Sequence, residues 1–183
     1  MMTLTLAQVF LGLGLAHGLV GLWWALRPEK AGAWMRAFPR QVAPGIFLML
    51  LGTAWFVWNL YRSEIQDFKD WRPVLYGGSA LLGVGCCIFV QDYLSVRGAA
   101  VVALLLCDVV LDVRRPSDNV WSLVLSFWSY AVIVSAVWWV GSPWRVRDLA
   151  AWMTGVPGRV SRVGWGMAAF GLVLGLLSLT EGR

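Results

Sequence analysis

Apolar residues run along this chain in long stretches, from Thr3 to Leu26, Gln41 to Leu60 and Trp121 to Gly141, rather than in a stripe recurring every third or fourth position. Stretches of about 20 such residues cross about 30 Å of hydrocarbon as helix, at 1.5 Å per residue. Six spans follow, at about 4–26, 42–61, 73–90, 96–113, 120–141 and 163–180. The fourth has the shortest uninterrupted apolar core, Gly98 to Cys107, with Arg97, Asp108 and Asp112 at or inside its limits, so a tilted or partly buried helix is expected there. The fold class predicted is all-α: a polytopic transmembrane helix bundle forming a single membrane domain over 1–183. Met1-Met2-Thr3 carries no basic side chain and the first apolar run exceeds a signal h-region, so the first span is read as a retained helix.

Spaced residues inside this pattern repeat. Trp23, Trp24, Pro28 and Lys30 recur as Trp138, Trp139, Pro143 and Arg145. After a short insertion, Trp34-Met35-Arg36-Ala37-Phe38-Pro39 recurs as Trp152-Met153-Thr154-Gly155-Val156-Pro157, and Gly45 and Gly52 match Gly164 and Gly171. The reading is a parallel internal repeat, copy one at 4–61 and copy two at 120–180, around an inserted helical hairpin at 70–115. Each copy is expected to run helix, surface helix, helix. Pro28 and Pro143 suit a first helical turn, Ser142 is a candidate cap, and Pro39 and Pro157 end the connector. Ala31, Trp34, Met35 and Phe38, like Leu149, Trp152, Met153 and Val156, fall at i, i+3, i+4 and i+7. That spacing predicts interfacial amphipathic helices, tryptophans at headgroup depth and cations beside anionic lipid.

Charge sets the orientation. Arg27, Lys30, Arg36, Arg40, Arg97, Arg145, Arg147, Arg159 and Arg162 fall on one side of a six-span arrangement, which the positive-inside rule makes cytoplasmic, with both termini outside. The opposite loops mix Arg62, Lys69, Arg72, Arg114 and Arg115 with Glu64, Asp67, Asp70, Asp112 and Asp118. With 59% of residues apolar and 14% charged, no watery surface can be built, so the net charge of +5 marks loop orientation and not nucleic-acid binding. Cys86, Cys87 and Cys107 lie within apolar runs at no metal-ligand spacing, which argues against a disulfide framework or a zinc site.

The second copy in particular resembles the YjeT-like family of short bacterial inner-membrane proteins, in Pro143-Trp144-Arg145 and in Val156-Pro157 followed by Arg162-Val163-Gly164 and Gly171. That family is a domain of unknown function. The resemblance implies a multi-pass protein of the bacterial inner membrane and implies no active site; the central hairpin has no counterpart in it.

Three features are candidates for chemistry. His17, the only histidine, lies near the middle of the first span, where it would ligate a haem or pigment, relay a proton, or hydrogen-bond a neighbouring helix beside Gly14 and Gly18; the last reading is preferred. Asp108 and Asp112 share a helix face at i and i+4, the spacing that holds Mg²⁺ to a diphosphate in lipid-processing transferases, but the further acids needed on a second helix are limited to Asp92, across a loop on the predicted opposite side. An interfacial pairing of Asp112 with Arg114 or Arg115 is the simpler account. His17 and Asp108 are offset by about 7 Å along the membrane normal, so a direct hydrogen bond between them needs tilt or a bridging water. Third, of thirteen tryptophans, Trp23, Trp24, Trp34, Trp138, Trp139, Trp144 and Trp152 gather at the basic side, beside Lys30, Arg36, Arg145 and Arg147. They read as an aromatic belt. Gly14 with Gly18, Gly171 with Gly175 and Ser79 with Gly83 are small-xxx-small pairs suited to close helix contact.

The function expected is therefore that of a non-enzymatic subunit or scaffold binding anionic lipid headgroups and other membrane proteins, or copies of itself, with no cofactor or metal. The alternatives are a small transporter or channel, a lipid-modifying enzyme using Asp108 and Asp112, and a haem or pigment binder through His17.

Overall fold

The structure, a computed structural model, describes residues 4–62 and 71–180. Glu64, Asp67, Lys69 and Asp70, expected in the loop after the second span, lie outside the described residues. The described residues hold eight α-helices and no strand: α1 (Leu6–Leu26), α2 (Pro28–Ala37), α3 (Val42–Arg62), α4 (Arg72–Phe89), α5 (Leu94–Arg114), α6 (Leu123–Gly141), α7 (Trp144–Thr154) and α8 (Arg159–Thr180). Six of them, α1, α3, α4, α5, α6 and α8, are long and apolar enough to cross a membrane. The chain is a multi-pass helical membrane protein.

Local chemistry sets the ends. Thr5 and Gln8 form a capping box, the Gln8 N–H donating to Thr5 Oγ1 at 3.3 Å and the Thr5 N–H to Gln8 Oε1 at 3.0 Å, so two N–H groups are satisfied before α1 enters the apolar phase. Twenty-one residues later Arg27 leaves the helical region, at φ −133° and ψ 57°, as the ring of a following proline demands. Pro28 is then the first residue of α2, where its missing N–H costs nothing. Pro143, matched to Pro28 in the sequence, instead stands just before α7, in a turn whose Ser142 carbonyl accepts from the Arg145 N–H at 3.0 Å. Pro39 lies in a 3-10 turn after α2, and Pro157 in the turn after α7, where Gly158 takes φ +76°.

One span limit differs from expectation. Helix α8 begins at Arg159, four residues before the apolar run, because Arg159 and Arg162 occupy a polar first turn that hydropathy does not register as helix. Helix α5, expected to be tilted or partly buried, is as long as α1 and has the largest buried share of the six.

The helices gather into two compact units. The first holds α1, α2, the later part of α5, the early part of α6, most of α7, and α8. Its core joins Phe10 and Leu13 of α1 to Val110, Leu125 and Leu174. Here α1 and α8 run antiparallel with their backbones almost touching: a Cβ on Gly14 would lie 2.8 Å from the Gly171 oxygen, and one on Gly164 2.5 Å from the Ala25 nitrogen. Lipid tails are as apolar as leucine side chains, so helices gain little by hiding leucine; van der Waals contact at glycine drives this pairing. Ser161 adds a hydrogen bond from its Oγ to the Ala25 carbonyl at 3.0 Å. The leucines point outward instead, Leu15 and Leu19 being exposed.

The second unit holds α3, α4, the early part of α5 and the later part of α6. Helices α3 and α5 are parallel and close at Gly45, whose Cβ would meet the Ser95 nitrogen at 2.6 Å, and at Gly98, whose Cβ would meet the Met49 nitrogen at 2.8 Å. Ser95, wholly buried, donates to the Phe38 carbonyl at 2.6 Å and ties the end of the first connector to α5.

Candidate functional site

At one end of the first unit lie the C-terminus of α1, the N-terminus of α8 and the two short helices α2 and α7. The short helices touch each other: a Cβ on Gly32 would lie 3.0 Å from Thr154 Cγ2. Ala31, Gly32, Ala150 and Met153 are the buried residues of this pair. The i, i+3, i+4, i+7 faces therefore divide, with glycine at the point of closest approach. Trp34, Leu149 and Trp152, expected on one face with Ala31 and Met153, are exposed instead, alongside Lys30, Arg36 and Arg147. Large aromatics beside cations at a helix surface suit the headgroup layer, where the ring is half apolar and the charge meets phosphate.

Several of these rings are fixed. Trp23 and Trp34 meet edge to face at 6.1 Å, joining α1 to α2. The Arg159 guanidinium lies 4.1 Å from the centre of the Trp152 ring and donates to the Trp152 carbonyl. Arg147 pairs with Asp148 at 2.9 Å on the exposed face, an ion pair of little energetic weight. In the second unit Arg145 stands over Trp138 at 5.9 Å. Trp24 and Trp139 are half-buried and Trp144 is exposed.

His17 has a defined role. Its Nδ1 is 2.9 Å from the Leu13 carbonyl, which can only accept, so Nδ1 carries the proton. Its Nε2 accepts from the Trp128 indole N–H at 3.1 Å. The ring is edge-on to Trp128 at 5.7 Å and to Phe170 at 5.5 Å, so it bridges α1, α6 and α8. Asp108 takes no part; both ring nitrogens are used, and a metal would have to displace Trp128. Trp128 was missed in the sequence; the signal that could have found it is its place mid-span, where an indole N–H needs an acceptor. Trp128→Phe is expected to destabilise the protein by about 0.6 kcal/mol and at most about 1.7 kcal/mol, the range for hydrogen bonds between membrane helices. A double-mutant cycle with His17→Phe, read by unfolding in mixed micelles, checks this; strictly additive effects would show that the bond adds nothing.

Asp108 and Asp112 are both exposed on α5. Asp112 meets Arg115 at 3.4 Å, one of the two pairings expected for it. Among the described residues no three His, Cys, Asp or Glu side chains come together as metal ligands.

Each unit also carries an apolar hollow. In the second unit a cavity of about 320 Å³ lies among α3, α4, α5 and α6, with Thr53, Ser79, Cys86 and Arg97 as its polar lining. In the first, a groove of about 530 Å³ follows the α1–α8 contact, floored by Gly14, Gly18 and Gly171. Neither was foreseen, because a hollow is a property of helix pairs and not of one helix. Compared with protein-family models, with curated proteins and with solved structures, the chain matches none.

Proposed function

We propose that this protein is a non-enzymatic subunit or scaffold of the bacterial cytoplasmic membrane, a relative of the YjeT-like proteins. In this reading its paired surface helices grip the anionic inner leaflet, with both termini outside. The observation that carries it is that α2 and α7 meet at Gly32 and Thr154 while Trp34, Trp152, Lys30, Arg36 and Arg147 are exposed at the same end of the first unit. A polybasic, tryptophan-bearing surface gains about 1 kcal/mol per cation near an anionic leaflet. Asp108 supports the partner half of the reading. It is exposed on a spanning helix about 9 Å from the helix end, a depth at which a carboxylate is costly without a cation or a polar neighbour.

The rivals have less support. A haem or pigment site would require His17 to give up Trp128. An Mg²⁺–diphosphate enzyme would require acidic neighbours that Asp108 and Asp112 lack among the described residues. A transporter draws on the Arg97-lined cavity, and solute flux into proteoliposomes tests it directly.

The decisive test is isolation in mild detergent followed by native mass spectrometry. The expected result is co-isolation with a second membrane protein or a further copy, and with anionic lipid that the combined variant Lys30→Gln, Arg36→Gln, Arg147→Gln retains several-fold less well. Recovery of a lone, lipid-free monomer overturns the proposal.

A further inference from the structure

The groove along the α1–α8 contact is built for one particular shape of ligand. Its walls are Leu15, Leu19 and Leu22 on one side and Trp165 and Leu172 on the other, all exposed, so it opens away from the protein. Glycine backbone forms its floor; a Cβ on Gly18 would point into open space, so the missing side chain there leaves room and is not a requirement of helix contact. From Leu15 to Leu22 the walls follow about 10 Å of bilayer depth.

Both walls lead to positive charge at the same end. On α1 the stripe Leu15, Leu19, Leu22 continues to Leu26, which borders a second hollow of about 350 Å³ formed with Arg27, Glu29 and Lys30. On α8 the stripe Leu172, Trp165 continues three residues back to Arg162, which is exposed. Arg159 is already engaged by Trp152. The single carboxylate in this arrangement, Glu29, stands against three cations. A chain-like apolar slot ending in net positive charge at headgroup depth complements an anionic amphiphile whose charge lies at one end.

We propose that this groove is a site for one anionic glycerophospholipid, an acyl chain lying over Gly18 and the phosphate held by Arg162 with Arg27 and Lys30. A second copy of the chain fits less well, since copies related about the membrane normal would bring their basic ends together. The proposal rests on the lipid-binding reading above but concerns a single stoichiometric site, not the leaflet as a whole.

Native mass spectrometry of the full chain, titrated with phosphatidylglycerol or phosphatidylcholine in detergent, tests it. The expected result is one phosphatidylglycerol retained per chain, with phosphatidylcholine at least tenfold weaker. Gly18→Leu should abolish retention by filling the slot, Arg162→Gln should weaken it about tenfold, and Gly166→Leu, whose Cβ also meets open space but which does not line the groove, should leave it unchanged. Thermal unfolding of each variant establishes that it is folded; should Gly18→Leu not fold, Arg162→Gln decides alone. Undiminished phosphatidylglycerol retention in folded Gly18→Leu or in Arg162→Gln overturns the site, as does equal binding of phosphatidylcholine or a dimer that Gly18→Leu dissociates. If Arg36→Gln with Arg147→Gln, neither of which the groove site uses, lowers total anionic lipid while Gly18→Leu changes nothing, the groove site fails and the leaflet reading stands; the reverse pattern separates them the other way.

Discussion

Gly171→Leu is expected to abolish the native α1–α8 pairing and to yield protein that aggregates or unfolds at a temperature well below the parent. A Cβ at this position would lie 2.6 Å from the Gly14 carbonyl oxygen and 2.8 Å from Gly18 Cα, and both obstacles are backbone. A side chain can rotate away from such a clash; a helix backbone can only be displaced. Displacement here opens the contact that organises the first unit, including the seat of Phe10 and Leu174, both fully buried, and the register that lets Ser161 reach Ala25. Overpacking of a rigid contact costs about 1–3 kcal/mol even where relaxation is available, and more where it is not. Gly171→Ala should already show most of the loss. The check is thermal unfolding in detergent followed by tryptophan fluorescence and size-exclusion profile, with Gly166→Ala as the control because nothing lies within 4 Å of its Cβ. Equal midpoints for Gly171→Ala and Gly166→Ala would mean that the helices are not in glycine-mediated contact.

The same glycines explain what could and could not be read from the sequence. The spans were legible because a run of about 20 apolar residues has no other comfortable conformation and solvent. The matched pairs Gly45 with Gly164 and Gly52 with Gly171 were legible as a pattern, but their neighbours were not. Gly45 closes on Ser95 of α5 and Gly52 on Val101, whereas Gly164 closes on Ala25 and Gly171 on Gly18 of α1. Positions matched in the sequence thus meet different partners, α3 closing on α5 and α8 on α1. Helical period marked α2 and α7 as short helices, which they are, yet it treated Ala31 and Trp34 as one face. Hydrophobicity gives both the same sign; size separates them, because alanine and glycine admit a neighbouring helix and tryptophan seeks the headgroup layer. The hydrogen bond from Trp128 to His17 joins residues far apart in the chain, and only the anomalous depth of Trp128 could have hinted at it.

The paired connectors make the sharpest claim about topology, and they can be locked together. With Cys86, Cys87 and Cys107 replaced by alanine, the pair Gly32→Cys and Thr154→Cys should form an intramolecular disulfide in high yield on mild oxidation. A Cβ on Gly32 lies 3.0 Å from Thr154 Cγ2, which puts the two Cβ atoms close to the roughly 3.5–4.5 Å that a disulfide spans. Gly32 and Thr154 belong to connectors on either side of the inserted hairpin, so the bond closes a loop of more than a hundred residues and can form only if both connectors lie on the same face of the membrane. A loop of that length also confers about 4–5 kcal/mol on the cross-linked protein by restricting its unfolded chain, less any strain at the junction. The readout is a mobility shift on non-reducing gels together with a higher unfolding midpoint that reductant reverses. A control pair, Gly32→Cys with Ser117→Cys, joins the connector to the turn after α5. It should remain reduced, because six-span threading puts that turn on the opposite side of the bilayer. Cross-linking of the control pair as efficient as that of the connector pair would refute the threading of the chain through the membrane, and with it the basic, tryptophan-bearing face from which the proposed function is argued.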